Sequence, residues 1–242
     1  MATSPLLSVI IPIINEQDNI EPLIKEITAA LDAICKYEII FINDASTDES
    51  LLILSNLKKT YPFLRVITHD NRYGQSAGLR TGIIAAKGSL IVTLDGDGQN
   101  DPADIPNLLK QHQKSSNSGF LMITGHRITR RDSWTKRQAS RIAHLIRRTI
   151  LKDDNPDTGC SLKLYERELF LRLPYFDHMH RYLPALAKRE NCTVAIVPVN
   201  HRHRAYGRSK YANFDRLLVG IPDLLGVMWL IRRSPQNLQS RE

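Results

Sequence analysis

One stretch constrains the fold of this chain more than any other: an apolar run that ends in two acidic residues one position apart. Leu90–Leu94 has the length of a strand, and Asp95-Gly96-Asp97-Gly98-Gln99 follows it directly. Buried carboxylates are costly without a partner, and Mg2+ takes hard oxygen ligands and often bridges carboxylates to substrate phosphates. The stretch therefore predicts a metal–diphosphate site at the carboxyl end of a buried strand, although an isolated Asp-x-Asp also occurs in solvated loops.

Apolar strands alternate with amphipathic helices through the first half of the chain. The predicted strands are Leu7–Ile14, Glu38–Ile42, Leu64–Thr68, Leu90–Leu94 and Phe120–Thr124, and the predicted helices between them are Ile20–Ile34, Asp48–Lys59, Ser76–Ala86 and Pro102–His112. This alternation predicts an α/β fold with a mostly parallel sheet and helices on both faces. Later in the chain, the pattern predicts a helix at Trp134–Ile150 and strands at Leu162–Tyr165 and Thr193–Val199.

Polar residues directly follow three of the predicted strands. These residues are Asn15 and Glu16, Asn43 and Asp44, and Asp95 and Asp97. Because ligands bind outside the carboxyl ends of strands in open α/β sheets, the three strand ends are expected to converge on one crevice. The chain has neither a Gly-x-Gly-x-x-Gly after its first strand nor a Walker Gly-Lys-Ser/Thr, which disfavours dehydrogenases and P-loop enzymes.

Positive charge is concentrated in two segments. Arg127–Arg148 carries a net +7 and His201–Arg216 a net +4, whereas the whole chain carries +8, so the remainder is close to −3. Such local basicity predicts an anionic partner, although the arginines of the predicted helix could also form a solvated face. The basic, aromatic stretch His201–Tyr211 is compatible with a nucleic-acid groove or with a lid over a diphosphate.

The cysteines predict a reducing compartment, and the start of the chain predicts a strand. Cys35, Cys160 and Cys192 are scattered and lack metal-ligand spacing. The apolar start Leu6–Ile14 is broken by Pro12 and predicts a strand rather than a signal peptide.

The apolar segment near the C-terminus is too short and too interrupted to span a bilayer. Leu217–Ile231 is flanked by Arg216 and by Arg232-Arg233, and it contains Trp229. These features predict either a helix that lies in a membrane interface or a C-terminal helix packed on the core or on a partner subunit.

Five motifs occur in a fixed order along the chain: Pro12–Glu16, Asn43–Asp48, Asp95–Gln99, Gly125–Arg127 and Arg204–Lys210. Together they resemble the motifs of family 2 glycosyltransferases, specifically the dolichol-phosphate mannose synthase group and its bacterial polyprenyl-phosphate relatives. The likeness covers Ser8–Tyr211 and implies the GT-A fold, which is a Rossmann-like, mostly parallel sheet. We accordingly expect a GT-A domain at residues 1–215, an amphipathic membrane-interface segment at 216–233 and a polar tail at 234–242.

The resemblance also implies roles for individual residues. Around the donor nucleotide sugar it places Pro12, Ile14, Glu16, Ile42, Asp44 and Gly96, with Asp95 and Asp97 holding the diphosphate through Mg2+ or Mn2+ and Asp97 as the direct ligand. It places Gln99 where sugar and acceptor meet, Arg127, Arg137 and Ser140 at the acceptor phosphate, and Arg204 and Lys210 over the donor diphosphate. The chain departs from the family pattern at Ile14 (usually Tyr or Phe), Asn43 (commonly Asp) and Gly96 (commonly Ala).

The activity that this resemblance implies is an inverting, metal-dependent transfer of a hexose-type sugar. The donor would be GDP-mannose or a UDP-sugar, and the acceptor would be dolichyl or undecaprenyl phosphate. The implied partners are the nucleotide-diphosphate sugar, the lipid phosphate and a membrane surface or a separate small membrane protein, but no nucleic acid. The implied location is cytoplasmic, peripheral on the cytoplasmic face of the membrane.

The chemistry of the acceptor separates the alternatives. A lipid monophosphate has a second pKa near ~6 and is already anionic at neutral pH, so it needs positioning by arginines more than deprotonation. Transfer to a saccharide or protein hydroxyl in cell-envelope glycan synthesis would instead require a general base, for which Asp157 is the candidate. A nucleic-acid-binding protein is the non-enzyme alternative, and it is disfavoured because the strand-end acids would repel phosphate without a metal.

Overall fold

The computed structural model describes residues 6–115, 119–128, 148–151, 153–204 and 213–233, and within the last range the side chains are described from Gly220 onward. Among these residues, one sheet is formed by β1 (Leu7–Ile13), β2 (Tyr37–Asp44), β3 (Leu64–His69), β4 (Leu90–Thr93), β5 (Leu121–Arg127), β6 (Lys163–Glu166) and β7 (Thr193–Val199). The helices are α1 (Gln17–Leu31), α2 (Ser50–Thr60), α3 (Gln75–Ala85), α4 (Ile105–Ser115), α5 (Arg167–Arg172), α6 (Leu183–Arg189) and α7 (Asn213–Arg232). Short 3-10 turns occupy Pro102–Asp104 and Met179–Arg181.

The sheet is mixed, with six strands in one direction and one against them. Its strand order is β3-β2-β1-β4-β6-β5-β7. Strands β1 to β4 are mutually parallel, β6 is antiparallel to both β4 and β5, and β5 is parallel to β7. The predicted mostly parallel sheet is therefore confirmed, and β6 is the exception that the alternation of strands and helices does not reveal.

Helices cover both faces of the sheet, as the continuous apolar strands predict. On one face, Ile11 of β1 belongs to a buried cluster with Ile24 of α1 and Leu108 of α4. On the other face, α3 lies so close to the sheet that a Cβ at Gly82 would be 2.6 Å from Ile10 Cγ2. The two-sided burial fixes the register of the strands, and with it the position of the polar residues at their ends.

The observed element bounds differ from the predicted ones where the apolar pattern continues past the element. Helix α1 ends at Leu31, and Ile34 is 50% exposed, so assigning Ile34 to the helix was wrong. The predicted helix at Pro102–His112 is a 3-10 turn, whose start is capped by the Asp101 carboxylate, followed by α4, which continues to Ser115. The predicted helix Trp134–Ile150 lies outside the described residues except at its end, where residues 148–151 are helical.

The chain divides into two compact units. The first consists of Met1–Arg131 and Asp157–Arg208 and contains the sheet; the second consists of Asp132–Pro156 and Ser209–Glu242 and contains α7. The domain border predicted after residue 215 falls inside α7, which is continuous from Asn213 to Arg232. Within the described ranges, no helix combines the length and hydropathy needed to cross a bilayer. The tail at 234–242 lies outside the described residues.

Candidate active site

Carboxylates that follow β1 and β4 lie around the guanidinium group of Arg204. Arg204 Nη2 donates a hydrogen bond to Asp97 Oδ2 at 2.5 Å. Burial alone would lower the pKa of Arg204, but Asp97, Glu16 and Asp95 raise that pKa above its usual value. All three carboxylates therefore lie close enough to act on this one cation, and the ends of β1 and β4 converge as the strand-end pattern predicts.

The end of β2 reaches the same place through the start of α3. Asp44 accepts hydrogen bonds from the backbone N–H groups of Tyr73 at 2.9 Å and Gly74 at 2.7 Å, and its Oδ1 lies 2.8 Å from His69 Nδ1. The next residue along the chain, Gln75, donates from Nε2 to Asp95 Oδ1 at 2.7 Å. Asp44 thus fixes the loop that presents Gln75 to Asp95, and its role toward a nucleoside stays a prediction.

The pair Asp95 and Asp97 is electrostatically suited to a divalent cation. Burial, together with the negative charge of Asp97, raises the pKa of Asp95 to about 6, even though Ser161, Lys163 and Arg127 act in the opposite direction. Two carboxylates that oppose each other's ionisation are relieved by a shared cation. Mg2+ is usually held by one or two carboxylates and completed by phosphate oxygens and water, and Mn2+ accepts similar oxygen ligands. The two acids therefore fit such an ion, whereas the described residues contain no cluster of three or more His, Cys, Asp or Glu side chains with metal-ligand geometry.

Residues of strand β6 and of the turn before it lie close to Asp95 and help to hold it in place. Asn100 Oδ1 accepts hydrogen bonds from Asp95 N at 3.2 Å and from Ser161 Oγ at 2.6 Å. The Lys163 ammonium is buried, which lowers its pKa, and it donates to the carbonyl oxygen of Cys160. None of these supports was predicted from the sequence, in which the one signal was a lysine inside the apolar run Leu162–Tyr165.

Arg127, which was predicted to receive the acceptor phosphate, is bonded to an acid of its own. Its Nε and Nη2 donate to the two carboxylate oxygens of Asp157 at 2.7 and 2.6 Å, and its backbone N donates to Asp157 Oδ2 at 3.1 Å. The Asp157 side chain is 2% exposed and that of Arg127 is 16% exposed. Arg127 therefore anchors the segment that precedes β6, and its contact with a phosphate stays a prediction.

Gln99 joins the acidic loop to the segment that carries Arg204. Its backbone N donates to Asp97 Oδ1 at 3.1 Å, and its side-chain Nε2 donates to the carbonyl oxygen of Arg202 at 3.4 Å. An isolated antiparallel bridge between Asn100 and His201 runs alongside. Gln99 therefore contacts both the acidic loop and the segment that carries Arg204, and its position relative to sugar and acceptor stays a prediction.

The residues predicted to surround the nucleoside divide into those that reach the surface and one that does not. Pro12 and Ile14 are partly exposed, and Glu16 retains 8% exposure while it accepts a hydrogen bond from Asn19. Ile42 has no exposed surface and lies beneath α3, and its role toward the nucleoside stays a prediction. Alternation along β2 turns its side chain toward the helix.

Gly96 owes its identity to close packing in this chain. A Cβ at this position would lie 2.3 Å from Cγ2 of Ile13, a residue that is only 3% exposed and so has little room to move. The departure from the commoner Ala therefore accompanies an isoleucine at the end of β1. The remaining predicted site residues, Arg137, Ser140 and Lys210, lie outside the described residues.

Comparison with known proteins identifies the family. The family model described as "Glycosyl transferase family 2" matches residues 8–173, which include β1 to β6 and the acidic pair. The chain belongs to this family. Among curated relatives, it is 35% identical over 213 residues to the undecaprenyl-phosphate 4-deoxy-4-formamido-L-arabinose transferase of Edwardsiella ictaluri, a match that covers 86% of this chain and 64% of that protein. It is 32% identical over 234 residues to the dodecaprenyl-phosphate galacturonate synthase of Rhizobium johnstonii, covering 93% of this chain and 67% of that one. The chain thus spans about two thirds of the length of these relatives.

Solved structures of other glycosyltransferases confirm the GT-A fold. Glucosyl-3-phosphoglycerate synthase from Mycobacterium tuberculosis, in complex with Mg2+ and uridine diphosphate, superposes with a TM-score of 0.67 at 17% identity over 96% of this chain and 81% of that chain. The mannosyltransferase PcManGT from Pyrobaculum calidifontis, in complex with GDP-Man and Mn2+, superposes with a TM-score of 0.65 at 17% identity over 98% of this chain and 66% of that chain. At this level of identity the likeness establishes the fold alone.

Proposed function

We propose that this chain transfers a hexose-type sugar from a nucleotide-diphosphate sugar to a polyprenyl phosphate, with Mg2+ or Mn2+ as cofactor and with inversion at the anomeric carbon. The observation that carries the proposal is the arrangement of Asp95 and Asp97 opposite Arg204 at the carboxyl ends of the strands. Support for the acceptor comes from the curated relatives, whose names specify undecaprenyl or dodecaprenyl phosphate.

The donor side of the site is built for a leaving diphosphate. When the sugar departs, negative charge develops on the β-phosphate, and a divalent ion held by Asp95 and Asp97 would stabilise that charge. Arg204 contacts Asp97 directly, and it would bind diphosphate oxygens through charge-assisted hydrogen bonds. Gln75 and Asn100 keep Asp95 in place through hydrogen bonds at 2.7 and 3.2 Å.

The acceptor side favours a phosphate over a hydroxyl. The base that a hydroxyl acceptor would need was expected to be Asp157, but both of its oxygens accept hydrogen bonds from Arg127. Protonating a carboxylate in such a bidentate pair would cost its charge-assisted contacts, so Asp157 is a poor general base. A lipid phosphate that is already anionic avoids this requirement.

A membrane surface is the proposed peripheral partner, on the cytoplasmic face. Along the described part of α7, Ile221, Leu225 and Trp229 recur every four residues and are 56%, 52% and 59% exposed. Arg233 lies with its guanidinium carbon 6.0 Å from the centre of the Trp229 ring. An exposed apolar stripe with a tryptophan and terminal arginines is typical of a helix lying in a lipid interface, where a polyprenyl phosphate would be reached. These exposures support the interfacial helix over one buried in the core.

The test is a transfer assay. The purified protein is incubated with Mn2+, vesicles containing undecaprenyl phosphate and a panel of radiolabelled GDP- and UDP-sugars, and label is then sought in the lipid phase. We expect lipid-linked label with one donor, loss of that label with EDTA, and a loss of roughly one to two decades in Arg204→Ala. Label that enters a saccharide or protein acceptor, and never the lipid, would refute the proposed acceptor.

A further inference from the structure

We propose that the ion pair between Arg202 and Glu26 is a positioning clamp that sets where Arg204 enters the active site. Arg202 touches neither acid of the Asp-x-Asp pair in the described contacts, and Glu26 lies on α1, away from the motifs that identify the family. This inference rests on the proposed function for its catalytic consequence, but the clamp itself is measurable without any transfer activity.

The Arg202 guanidinium joins two separate parts of the first unit. Nη1 and Nη2 donate to the two oxygens of Glu26 at 3.0 and 2.7 Å, which is a bidentate pair. Nη2 also donates to the carbonyl oxygen of Asn100 at 2.9 Å. Helix α1 is thereby connected, through one side chain, to the loop that follows the acidic pair.

The backbone of Arg202 repeats the connection to that loop. Its N–H donates to the carbonyl oxygen of Gln99 at 2.9 Å, and its own carbonyl oxygen accepts from Gln99 Nε2 at 3.4 Å. With the bridge between Asn100 and His201, these contacts attach the segment after β7 to the loop bearing Asp97. Arg202 therefore holds the segment after β7 against the loop that bears Asp97, at Gln99 and Asn100.

Arg204 follows two residues later. The clamp therefore limits where the backbone of Arg204 can lie, and so how its side chain reaches Asp97. Two residues of extended chain span at most roughly 7 Å, which is too short to absorb a displacement of Arg202 without moving Arg204. The Arg202 and Glu26 side chains are 36% and 40% exposed. Exposed pairs of this kind contribute little to the free energy of unfolding. A bidentate ion pair nevertheless fixes the orientation of the Arg202 side chain. Arg204 needs a fixed position because it would have to contact a diphosphate.

The first test follows the exchange of the Arg202 amide proton, which reports directly on the hydrogen bond to Gln99. In Glu26→Ala we expect this proton to exchange about tenfold faster, with an unchanged melting temperature. The matched control is Glu21→Ala on the same helix, because Glu21 pairs only with the exposed Lys25 in the described contacts. Equal exchange in wild type, Glu26→Ala and Glu21→Ala would overturn the clamp, whether or not the protein proves to be a transferase.

The second test separates positioning from general loss of structure. With the donor found in the transfer screen, Glu26→Ala should raise the donor KM about three- to tenfold and change kcat less than twofold. Because Glu26 acts through Arg202, adding Glu26→Ala to Arg202→Ala should cause no further rise in KM. Additive effects of the two substitutions on KM, or an equal rise of the donor KM in Glu21→Ala, would refute the assignment. If no donor is turned over while the exchange result holds, the proposed function fails and the clamp stands.

Discussion

Replacing Asp97 by Asn should weaken the proposed metal binding and leave the fold intact. The substitution keeps the shape of the side chain but removes the charge that Arg204 contacts at 2.5 Å and that raises the pKa of Asp95. The side chains of Arg204 and Asp97 are 23% and 11% exposed, so their contact is only partly screened by water. The fold should survive, because Asp97 lies in the loop after β4 and outside the apolar core.

The expected magnitude follows from the loss of one charged contact. A charge-assisted contact is worth about 1.5–3 kcal/mol, so Mn2+ should bind roughly 10- to 150-fold more weakly to Asp97→Asn than to wild type. Asp95 remains as a second carboxylate, and its own pKa should fall because the neighbouring negative charge is gone. That fall only partly offsets the loss, because a more readily ionised Asp95 is still a single ligand.

The assay is a Mn2+ titration followed by electron paramagnetic resonance, with and without UDP or GDP. Asp101→Asn is the matched control, because Asp101 lies four residues further on and caps the following turn through Ala103 N at 3.0 Å, a role that Asn fills equally well. We expect Asp101→Asn to bind Mn2+ as wild type does. Undiminished Mn2+ binding by Asp97→Asn would show that the metal site has been misplaced.

Three further predictions follow from the described contacts. Because the pKa of Asp95 is about 6 in the folded chain, a proton on Asp95 should compete with Mn2+ below that pH. The affinity for Mn2+, measured in a pH series, should therefore weaken as pH falls below 6, and the midpoint of this change should lie at lower pH in Asp97→Asn. An affinity that stays constant between pH 5 and 7 would contradict this prediction. Desolvation alone would raise the pKa of Glu38, but hydrogen bonds from Ser8, Arg65 and Lys87 N hold it below its usual 4.5, so its ion contributes stability that is present at neutral pH and lost as pH falls through the folded pKa. Urea unfolding should therefore show Glu38→Gln destabilised by about 2 kcal/mol at pH 7, with the difference shrinking in acid. Leu225→Asp should reduce flotation with anionic vesicles about fivefold or more, whereas Leu52→Asp on α2, which replaces a 60% exposed leucine, should leave it unchanged.

The strands of the first half could be predicted because their apolar runs are continuous and bounded by polar residues. Thr193–Val199 was placed without error for the same reason. The direction of β6 could not be predicted, since four residues carry no signal for which neighbours they join, and it enters between β4 and β5 only when the whole sheet is assembled. Its consequence for the site is large, because β6 places a buried lysine behind Asp95.

Site residues that directly follow a strand could be predicted from the sequence. Their hydrogen-bond partners from distant parts of the chain could not. Asp95 and Asp97 follow from the sequence pattern, whereas Asn100 and Ser161 are connected only in three dimensions. Ile42 shows a different limit: the resemblance implies a role for it at the donor, but the sequence does not reveal which face of β2 its fully buried side chain occupies.

The charges around Arg204 indicate why a metal and a diphosphate should bind together. Glu16, Asp95 and Asp97 all act on the Arg204 guanidinium. Lys163 and Arg127 also act on Asp95, but Arg127 is paired with Asp157, so these four carboxylates still outnumber the three cations. A nucleoside diphosphate approaching them would meet net negative charge, and a divalent ion between Asp95 and Asp97 would cancel it. The diphosphate would in turn supply the oxygen ligands that two carboxylates leave unfilled around Mg2+ or Mn2+. Each ligand should therefore strengthen the binding of the other by the same factor. A metal that shared Asp97 would weaken the hold of that carboxylate on Arg204, whose guanidinium would then contact the leaving phosphate.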